Sequence, residues 1–223
     1  MIKYCIFDMD GLMLDTEMLA QRSFYECVGP RLGIEFQQGE LLTFIGKNRA
    51  ALIEWWAENI RDKYGLTQEW NEVSAWSYEW QVKQFLTEGV PVKEGLVELL
   101  EWIRGRDIPC AVATSTDYDR TIQKLDLANL TKYFEKIICG NMVSKSKPDP
   151  EIFLLAMNEL GFDKPEEGVV FEDSLLGTRA GVDGGFNVIA VPDLVPLHGE
   201  HMGKCMAIIS RLDLAIGVLD GKL

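Results

Sequence analysis

Two carboxylates, two positions apart, follow the first apolar run of this chain. Asp8 and Asp10 come directly after Tyr4-Cys5-Ile6-Phe7, and Gly11 then breaks the run. This pattern predicts a short buried strand with a sharp turn behind it. Carboxylates this close together disfavour joint ionisation, so a bound cation or a retained proton must compensate. Asp and Gly are also ordinary turn residues, so the pair alone leaves a simple polar turn open.

Three later apolar runs also end in polar groups. Thr114-Ser115-Thr116 follow one run, Lys147 lies in the segment after the next, and Glu172-Asp173 close a third. Asp117 then opens a helix, an arrangement suited to anion binding. Taken singly, each group has an ordinary explanation as a helix cap or a solvated lysine. Ligands bind at the carboxyl ends of the strands in open α/β sheets, so we expect these groups to meet there.

Together these groups provide a nucleophile, an acid, hydroxyl donors, a cation and carboxylates for a metal. Oxygen ligands without nearby histidine favour Mg²⁺, which usually keeps several waters and binds substrate phosphates. Those are the requirements of phosphoryl transfer. The two histidines, His198 and His201, fall in a late loop. This placement disfavours a serine-histidine hydrolase and a histidine zinc site.

The elements that must position these groups alternate between strand and helix from Val90 onward. This alternation predicts an α/β fold with a Rossmann-like parallel sheet core. Residues 16–87 are predicted to be helical throughout, so they form an inserted helical domain between 1–15 and 88–223 of the core. The strands after the first are predicted at 110–113, 136–139, 169–171, 188–191 and 207–209.

The helical segment is rich in aromatic residues. It contains five of the six tryptophans: Trp55, Trp56, Trp70, Trp76 and Trp80. Aromatic residues at helical spacing usually pack in a core, and we expect most of these to do so. One or two remain candidates for lining a pocket.

Composition excludes several classes of protein. The 223 residues carry a formal net charge of −13, with a pI near 4.6, which argues against nucleic-acid partners and anionic membranes. The five cysteines are scattered without CxxC spacing, which indicates a reduced protein. No apolar segment approaches the ~20 residues of a membrane span, and the sequence opens on a strand instead of a leader. We therefore expect a cytoplasmic monomer whose partner is a small phosphorylated metabolite.

Four phrases carry a family resemblance. FDMDGLMLDTE, ATST, SKPDPEIF and VVFEDSLLG occur in this order. Together they resemble the motifs of the haloacid dehalogenase superfamily, over a core from Lys3 to about Val191. The insertion after the first motif resembles the α-helical cap of the subgroup with β-phosphoglucomutase and small sugar-phosphate or nucleotide phosphatases. FDMDGLMLDTE and KPDPEIFLLA are most similar to the phosphatases, including pseudouridine-5′-phosphatase-like proteins.

The resemblance implies a Mg²⁺-dependent phosphatase that hydrolyses a small phosphate monoester, either a sugar phosphate or a nucleotide-like compound. Asp8 would attack phosphorus and form an aspartyl-phosphate, while Asp10 would protonate the leaving oxygen and then activate water. Asp8 must then start ionised and Asp10 protonated. The Mg²⁺ ligands would be Asp8, Asp173 and the backbone carbonyl of Asp10, with Glu172 close by.

The resemblance also implies which groups bind the substrate. Thr114, the amide of Ser115 and Lys147 would hold the phosphoryl oxygens, with Lys145 as the alternative cation. In the cap, Glu17 could face the pocket. Lys47 and Arg49, in the stretch Gly46-Lys47-Asn48-Arg49, are candidates for the substrate's distal polar group. A solvated helix N-terminus explains these two cations equally well.

Three alternatives share parts of this pattern. A β-phosphoglucomutase-type mutase has the same core, but the expected cap histidine is replaced by Leu19, Ala20 and Gln21. A dehalogenase proper would lack Asp10. A receiver domain combines similar groups, but its phosphoacceptor lies on a later strand and it has no helical insertion. Hydrolysis is therefore preferred to phosphoryl transfer between sugar positions.

Overall fold

The computed structural model describes residues 1–37, 39–41, 49–194 and 196–222. The chain divides into two compact units, one of Met1–Leu14 with Pro91–Leu223 and the other of Asp15–Val90. The sequence predicted an inserted helical segment over 16–87, and the helices of the second unit begin at Glu17 and end at Glu88.

A parallel sheet forms the first unit. Within the described residues it has six strands in the order β3-β2-β1-β4-β5-β6, and all pairs are parallel. The predicted fold class, an α/β protein with a parallel sheet, is confirmed. Every predicted strand is present, with ends shifted by a residue or two. The strands are β1 (Tyr4–Phe7), β2 (Cys110–Thr114), β3 (Lys136–Cys139), β4 (Gly168–Glu172), β5 (Asn187–Ala190) and β6 (Ala207–Ile208).

In the part of it that the structure describes, the second unit consists of four short helices, one helix of 19 residues and π-helical turns, packed around an aromatic core. Phe24 stacks on Trp70 with ring centroids 6.0 Å apart, and Trp56 lies 6.3 Å from Trp70. Trp55 is also buried, which confirms core packing for three of the five tryptophans. The helices are α1 (Glu17–Ser23), α2 (Gly29–Leu32), α3 (Arg49–Trp56), α4 (Asp62–Tyr64) and α5 (Trp70–Glu88), with π-helical turns at Phe24–Val28 and Ala57–Arg61.

Further helices connect the strands of the sheet. They are α6 (Leu96–Arg104), α7 (Tyr118–Leu127), α8 (Glu151–Glu159), α9 (Leu175–Asp183) and α10 (Ala215–Leu219). Helix α7 follows β2, α8 follows β3 and α9 follows β4. The segments that join these strands to their helices leave from the carboxyl ends of the strands, and several candidate residues lie in them. No helix in the described part of the chain is long and apolar enough to cross a bilayer.

Candidate active site

The central pair of strands brings Asp8 and Glu172 to one edge of the sheet. Strands β1 and β4 pair in parallel with Phe7 opposite Phe171, and the two rings stack with centroids 4.4 Å apart. The backbone N–H of Asp8 donates to the carbonyl of Phe171 over 3.1 Å. The chain order of the sheet reverses between these strands, which is where open α/β sheets bind ligands.

Lys147 connects three strand ends. Its ammonium group donates to Oδ1 of Asp8, to the carbonyl of Ala113 at 3.1 Å, and to Oε1 of Glu172 at 2.6 Å. The side chain is buried and lies over the ring of Phe153. An ammonium group has three N–H donors, and these three contacts can use all of them. Lys147 therefore holds the end of β2, Asp8 and Glu172 together.

Burial governs the charges in this cluster. It raises the pKa of the Asp8 carboxyl to about 7; Lys147 opposes the shift, while Glu172 and Asp10 add to it. For Lys147, burial acts to lower the pKa, but the carboxylates of Asp8 and Glu172 outweigh it and raise the pKa above its ordinary value. Lys147 is therefore a permanent cation at this edge.

The carboxyl group of Asp10 is held by a different set of residues. Thr116 donates its hydroxyl to Oδ2 over 2.7 Å, and the ammonium of Lys124 lies 2.5 Å from Oδ1. Both partners come from the segment that follows β2, one from its turn and one from α7. A carboxyl group that accepts hydrogen bonds on both oxygens has the bonding pattern of the ionised form.

The turn after β2 is closely packed. The Thr114 hydroxyl is buried and accepts from the backbone N–H of Thr116 over 3.2 Å, while Ser115 is exposed. A Cβ at Gly140 would lie 2.2 Å from the Ser115 carbonyl oxygen. Only glycine therefore lets the segment after β3 approach this turn so closely.

The two residues of the second acidic pair, Glu172 and Asp173, make different contacts. Oε2 of Glu172 accepts from the backbone N–H and the hydroxyl of Ser174, both over 2.9 Å, while Oε1 faces Lys147. A Cβ at Gly177 would lie 1.7 Å from Oε1. Glu172 is thus fixed by Lys147 and by the start of α9. Its neighbour Asp173 is buried and faces Gly11, where a Cβ would come within 2.3 Å of its Oδ2.

The donor set suits a hard cation such as Mg²⁺. In the ranges that the structure describes, no three or more His, Cys, Asp or Glu side chains lie together as a metal site. Oxygen donors at this edge include the carboxylate of Asp8, which contacts Lys147 through Oδ1, the carboxylate of Asp173 and the backbone carbonyl of Asp10. Both carboxylate oxygens of Asp10 and of Glu172 accept hydrogen bonds from protein groups. Mg²⁺ needs only one or two carboxylates because it keeps several waters. The glycine at position 11, with φ of 89°, leaves room beside Asp173 that a side chain would fill.

The structure distinguishes between the two candidate lysines. Lys147 is buried at the cluster, whereas Lys145 is exposed and lies 3.4 Å from Asp149. The backbone N–H of Lys145 donates to Glu151. Lys145 therefore has no place in the cluster.

Three substrate-binding residues were predicted in the helical unit: Glu17, Lys47 and Arg49. Glu17 begins α1 and is half-buried. Lys47 lies outside the described residues. Arg49 begins α3, but its side chain is also outside what the structure describes. Their proposed contact with the substrate stays a prediction.

The site predicted from the sequence did not include Lys124 or the contact between Thr116 and Asp10. A signal for Lys124 existed. Thr121, Lys124 and Leu125 are the buried positions of α7, so a lysine occupied the apolar face of an amphipathic helix. Buried lysines are rare unless they are paired.

The sequence of the chain is similar to those of known proteins. Residues 5–191 match the family described as haloacid dehalogenase-like hydrolase. The chain belongs to this family. It is 32% identical to a phosphorylated carbohydrates phosphatase of Thermotoga maritima, over 82% of each chain. It is 30% identical to a probable pseudouridine-5′-phosphatase of Drosophila melanogaster, over 86% of this chain and 82% of that protein.

A solved structure extends the match to almost the whole chain. CbbY from Rhodobacter sphaeroides, in complex with phosphate, superposes with a TM-score of 0.79 at 25% identity, over 99% of this chain and 100% of that one. The predicted family is confirmed. The predicted enzyme class, a phosphoric monoester hydrolase, is confirmed by the phosphatases among these relatives.

Proposed function

We propose that this chain is a Mg²⁺-dependent phosphatase that hydrolyses a small phosphate monoester through an aspartyl-phosphate on Asp8. The observation that carries the proposal is the Lys147 cluster. A buried ammonium group in contact with Asp8 holds that carboxylate at the sheet edge and opposes the effect of burial on its pKa. Such a carboxylate can act as a nucleophile toward phosphorus.

In the first step, Oδ of Asp8 bonds to phosphorus as the bond to the leaving oxygen breaks. Asp10 supplies a proton to that oxygen. Because both Asp10 oxygens accept hydrogen bonds in this structure, the carboxyl must first gain a proton and one contact must change. A threonine hydroxyl both donates and accepts, so the Thr116 contact can reverse.

In the second step, a water molecule attacks phosphorus and the bond to Asp8 breaks. Asp10, now ionised, takes the proton from that water. The present hydrogen bonds to Asp10 match this second state. Thr114, the amide of Ser115 and Lys147 would hold the phosphoryl oxygens, and Lys147 would exchange one of its protein contacts to do so.

A bound Mg²⁺ would neutralise charge on the transferring phosphoryl group. Its ligands would be Asp8, Asp173 and the Asp10 carbonyl. Glu172, which was also predicted near the metal, would not bind the metal itself but would hold Lys147 in place.

The substrate class rests on the relatives. They include a phosphatase of phosphorylated carbohydrates and a probable pseudouridine-5′-phosphatase, so we assign a sugar phosphate or a nucleotide-like monoester to this chain. In this proposal Asp15–Val90 supplies the helical cap, in which Glu17 faces the pocket and Lys47 and Arg49 bind the substrate's distal polar group. The enzyme acts as a cytoplasmic monomer. All five cysteines are free thiols, which suits a reducing compartment.

Hydrolysis is preferred to a mutase reaction for a reason of sequence. The chain has two histidines, His198 and His201, and neither lies between residues 15 and 90. The helical unit therefore lacks the histidine that the mutase resemblance requires.

A substrate panel tests the proposal. Phosphate release would be measured with glucose 6-phosphate, fructose 1-phosphate, uridine monophosphate, pseudouridine 5′-monophosphate and p-nitrophenyl phosphate. Wild-type protein with Mg²⁺ should release phosphate from at least one, and EDTA or Asp8→Asn should abolish it. Hexose phosphate interconversion that is faster than phosphate release would favour the mutase instead.

A further inference from the structure

Lys124 occupies an unusual place for a lysine. It lies on the inward face of α7, its side chain is 8% exposed, and its ammonium lies 2.5 Å from Oδ1 of Asp10. Burying an ammonium group is costly unless a partner compensates. Neighbouring lysines such as Lys132 stay at the surface. The burial of Lys124 therefore has to be explained by its partner.

The two residues that contact the Asp10 carboxylate belong to one continuous segment of the chain. Thr116 follows β2 directly and holds Oδ2, while Lys124 lies two helical turns further on and holds Oδ1. Asp8 belongs to a separate set, with Lys147 and Glu172. The two carboxyl groups therefore contact different lysines, Lys124 and Lys147, although only Met9 separates the two aspartates in sequence.

We propose that Lys124 is a positioning residue that fixes the carboxyl group of Asp10 for proton transfer. The inference rests on the proposed phosphatase function. The hydroxyl of Thr116 can rotate and exchange its role during the reaction, whereas the ammonium of Lys124 only donates. Lys124 thus anchors one oxygen of Asp10 while the other meets the leaving group or the water.

The chemistry predicts a specific pattern of loss. A carboxyl group that has lost its anchor spends less time in the productive orientation, and small misplacement at a reacting centre can lower a rate by ~10²-fold. The loss should fall on kcat and on substrates with poor leaving groups. Substrate binding, and the phosphorylation of Asp8 by p-nitrophenyl phosphate, need little help from Asp10 and should change little.

A double-mutant cycle tests the proposal. Lys124→Met, Asp10→Asn and the double variant would be compared by kcat, KM and pre-steady-state phosphorylation, with the fastest alkyl phosphate of the panel and with p-nitrophenyl phosphate. Lys124→Met should lower kcat on the alkyl phosphate by ~10²-fold in the wild-type background, but by less than about threefold when Asp10 is already Asn. Lys124→Arg, which keeps a donor and a charge, should restore a large part of kcat. Exposed Lys132→Met is the control and should match wild type.

Several results would overturn the inference. One is an equal loss of kcat from Lys124→Met in both backgrounds; another is an equal loss of the phosphorylation rate on both substrates with no rescue by Arg. Either would mean that Lys124 only supports folding. If Lys124→Met does not fold, Lys124→Gln enters the same cycle with the same expectations. No phosphate release by the wild type on any substrate would overturn the proposed function itself, whereas an active wild type matched by Lys124→Met would overturn only the positioning role.

Discussion

The ammonium nitrogen of Lys147 lies 2.6 Å from Oε1 of Glu172, and both side chains are almost completely buried. Glu172→Ala leaves Asp8 as the remaining carboxylate partner of Lys147, but it removes the acceptor of one Lys147 N–H and of the Ser174 N–H and hydroxyl. Leaving such donors without a partner typically costs about 1–3 kcal/mol. We therefore expect Glu172→Ala to lower the free energy of unfolding by about that amount. Urea unfolding followed by circular dichroism, which reports on both units, would measure it.

A surface pair of the same residue types supplies the control. Lys136 and Glu159 lie 3.5 Å apart with both side chains about half exposed. Surface pairs contribute about 0–1 kcal/mol, so Glu159→Ala should change stability little. If Glu172→Ala and Glu159→Ala lower the free energy of unfolding by similar amounts, burial does not strengthen the contribution of the Lys147–Glu172 pair.

The leaving group should determine how much Asp10 matters. Asp10→Asn removes general acid and base help, which is typically worth ~10²- to 10⁴-fold in rate. In single-turnover phosphorylation, an alkyl phosphate should suffer a loss of that size, and p-nitrophenyl phosphate a smaller one, because its leaving group needs little protonation. Equal losses on the two substrates would argue against Asp10 as the acid.

Gly177 should be intolerant of even one added methyl group. A Cβ there would lie 1.7 Å from Oε1 of Glu172, so Gly177→Ala must displace the carboxylate that holds Lys147. We expect at least a ~10-fold loss of kcat. Gly217→Ala in α10 is the matched control, because nothing lies within 4 Å of its Cβ. Alanine is the better helix former by up to about 1 kcal/mol, so the control should be active and at least as stable as wild type. Full activity of Gly177→Ala would contradict this account of Glu172.

Thiol alkylation should be slow in the folded protein. Hydrogen bonding to Cys5 and burial raise the pKa of Cys110, and burial raises the pKa of Cys205 above its ordinary value of 9.0. A raised pKa means less thiolate at a given pH, so the iodoacetamide rate of Cys205 should keep rising about tenfold per pH unit beyond pH 9. Mass spectrometry would locate the label. A plateau below pH 9 for Cys205, or rapid labelling of native Cys110, would contradict the expectation.

The sheet could be predicted from sequence because its signals are local. Strand β1 has the predicted bounds, Tyr4–Phe7, since a short apolar run stopped by polar residues and glycine has few other structures open to it. Its polar ends could be assigned to one edge because parallel strands in alternation with helices share a direction.

The helical unit was predicted less well. Residues 16–87 were expected to be helical throughout, but Gly33 and Gly65, with φ of 69° and 63°, end α2 and α4 in the left-handed region. Glycine is a common C-terminal cap of helices, so these two helix ends were predictable from the sequence. The partnership between Lys124 and Asp10 was not, because it joins residues far apart in the chain and depends on how α7 packs against the sheet.

The central claim is covalent catalysis by Asp8, and trapping the phosphoenzyme tests it most directly. Wild type, Asp8→Asn and Asp10→Asn would be mixed with Mg²⁺ and p-nitrophenyl phosphate, quenched in acid within milliseconds, and analysed by intact-mass and peptide mass spectrometry. We expect one phosphoryl group on the peptide containing Asp8 in wild type, more of it in Asp10→Asn because water attack is slowed, and none in Asp8→Asn. Phosphate release by a wild type that never carries this group, or undiminished release by Asp8→Asn, would contradict the account.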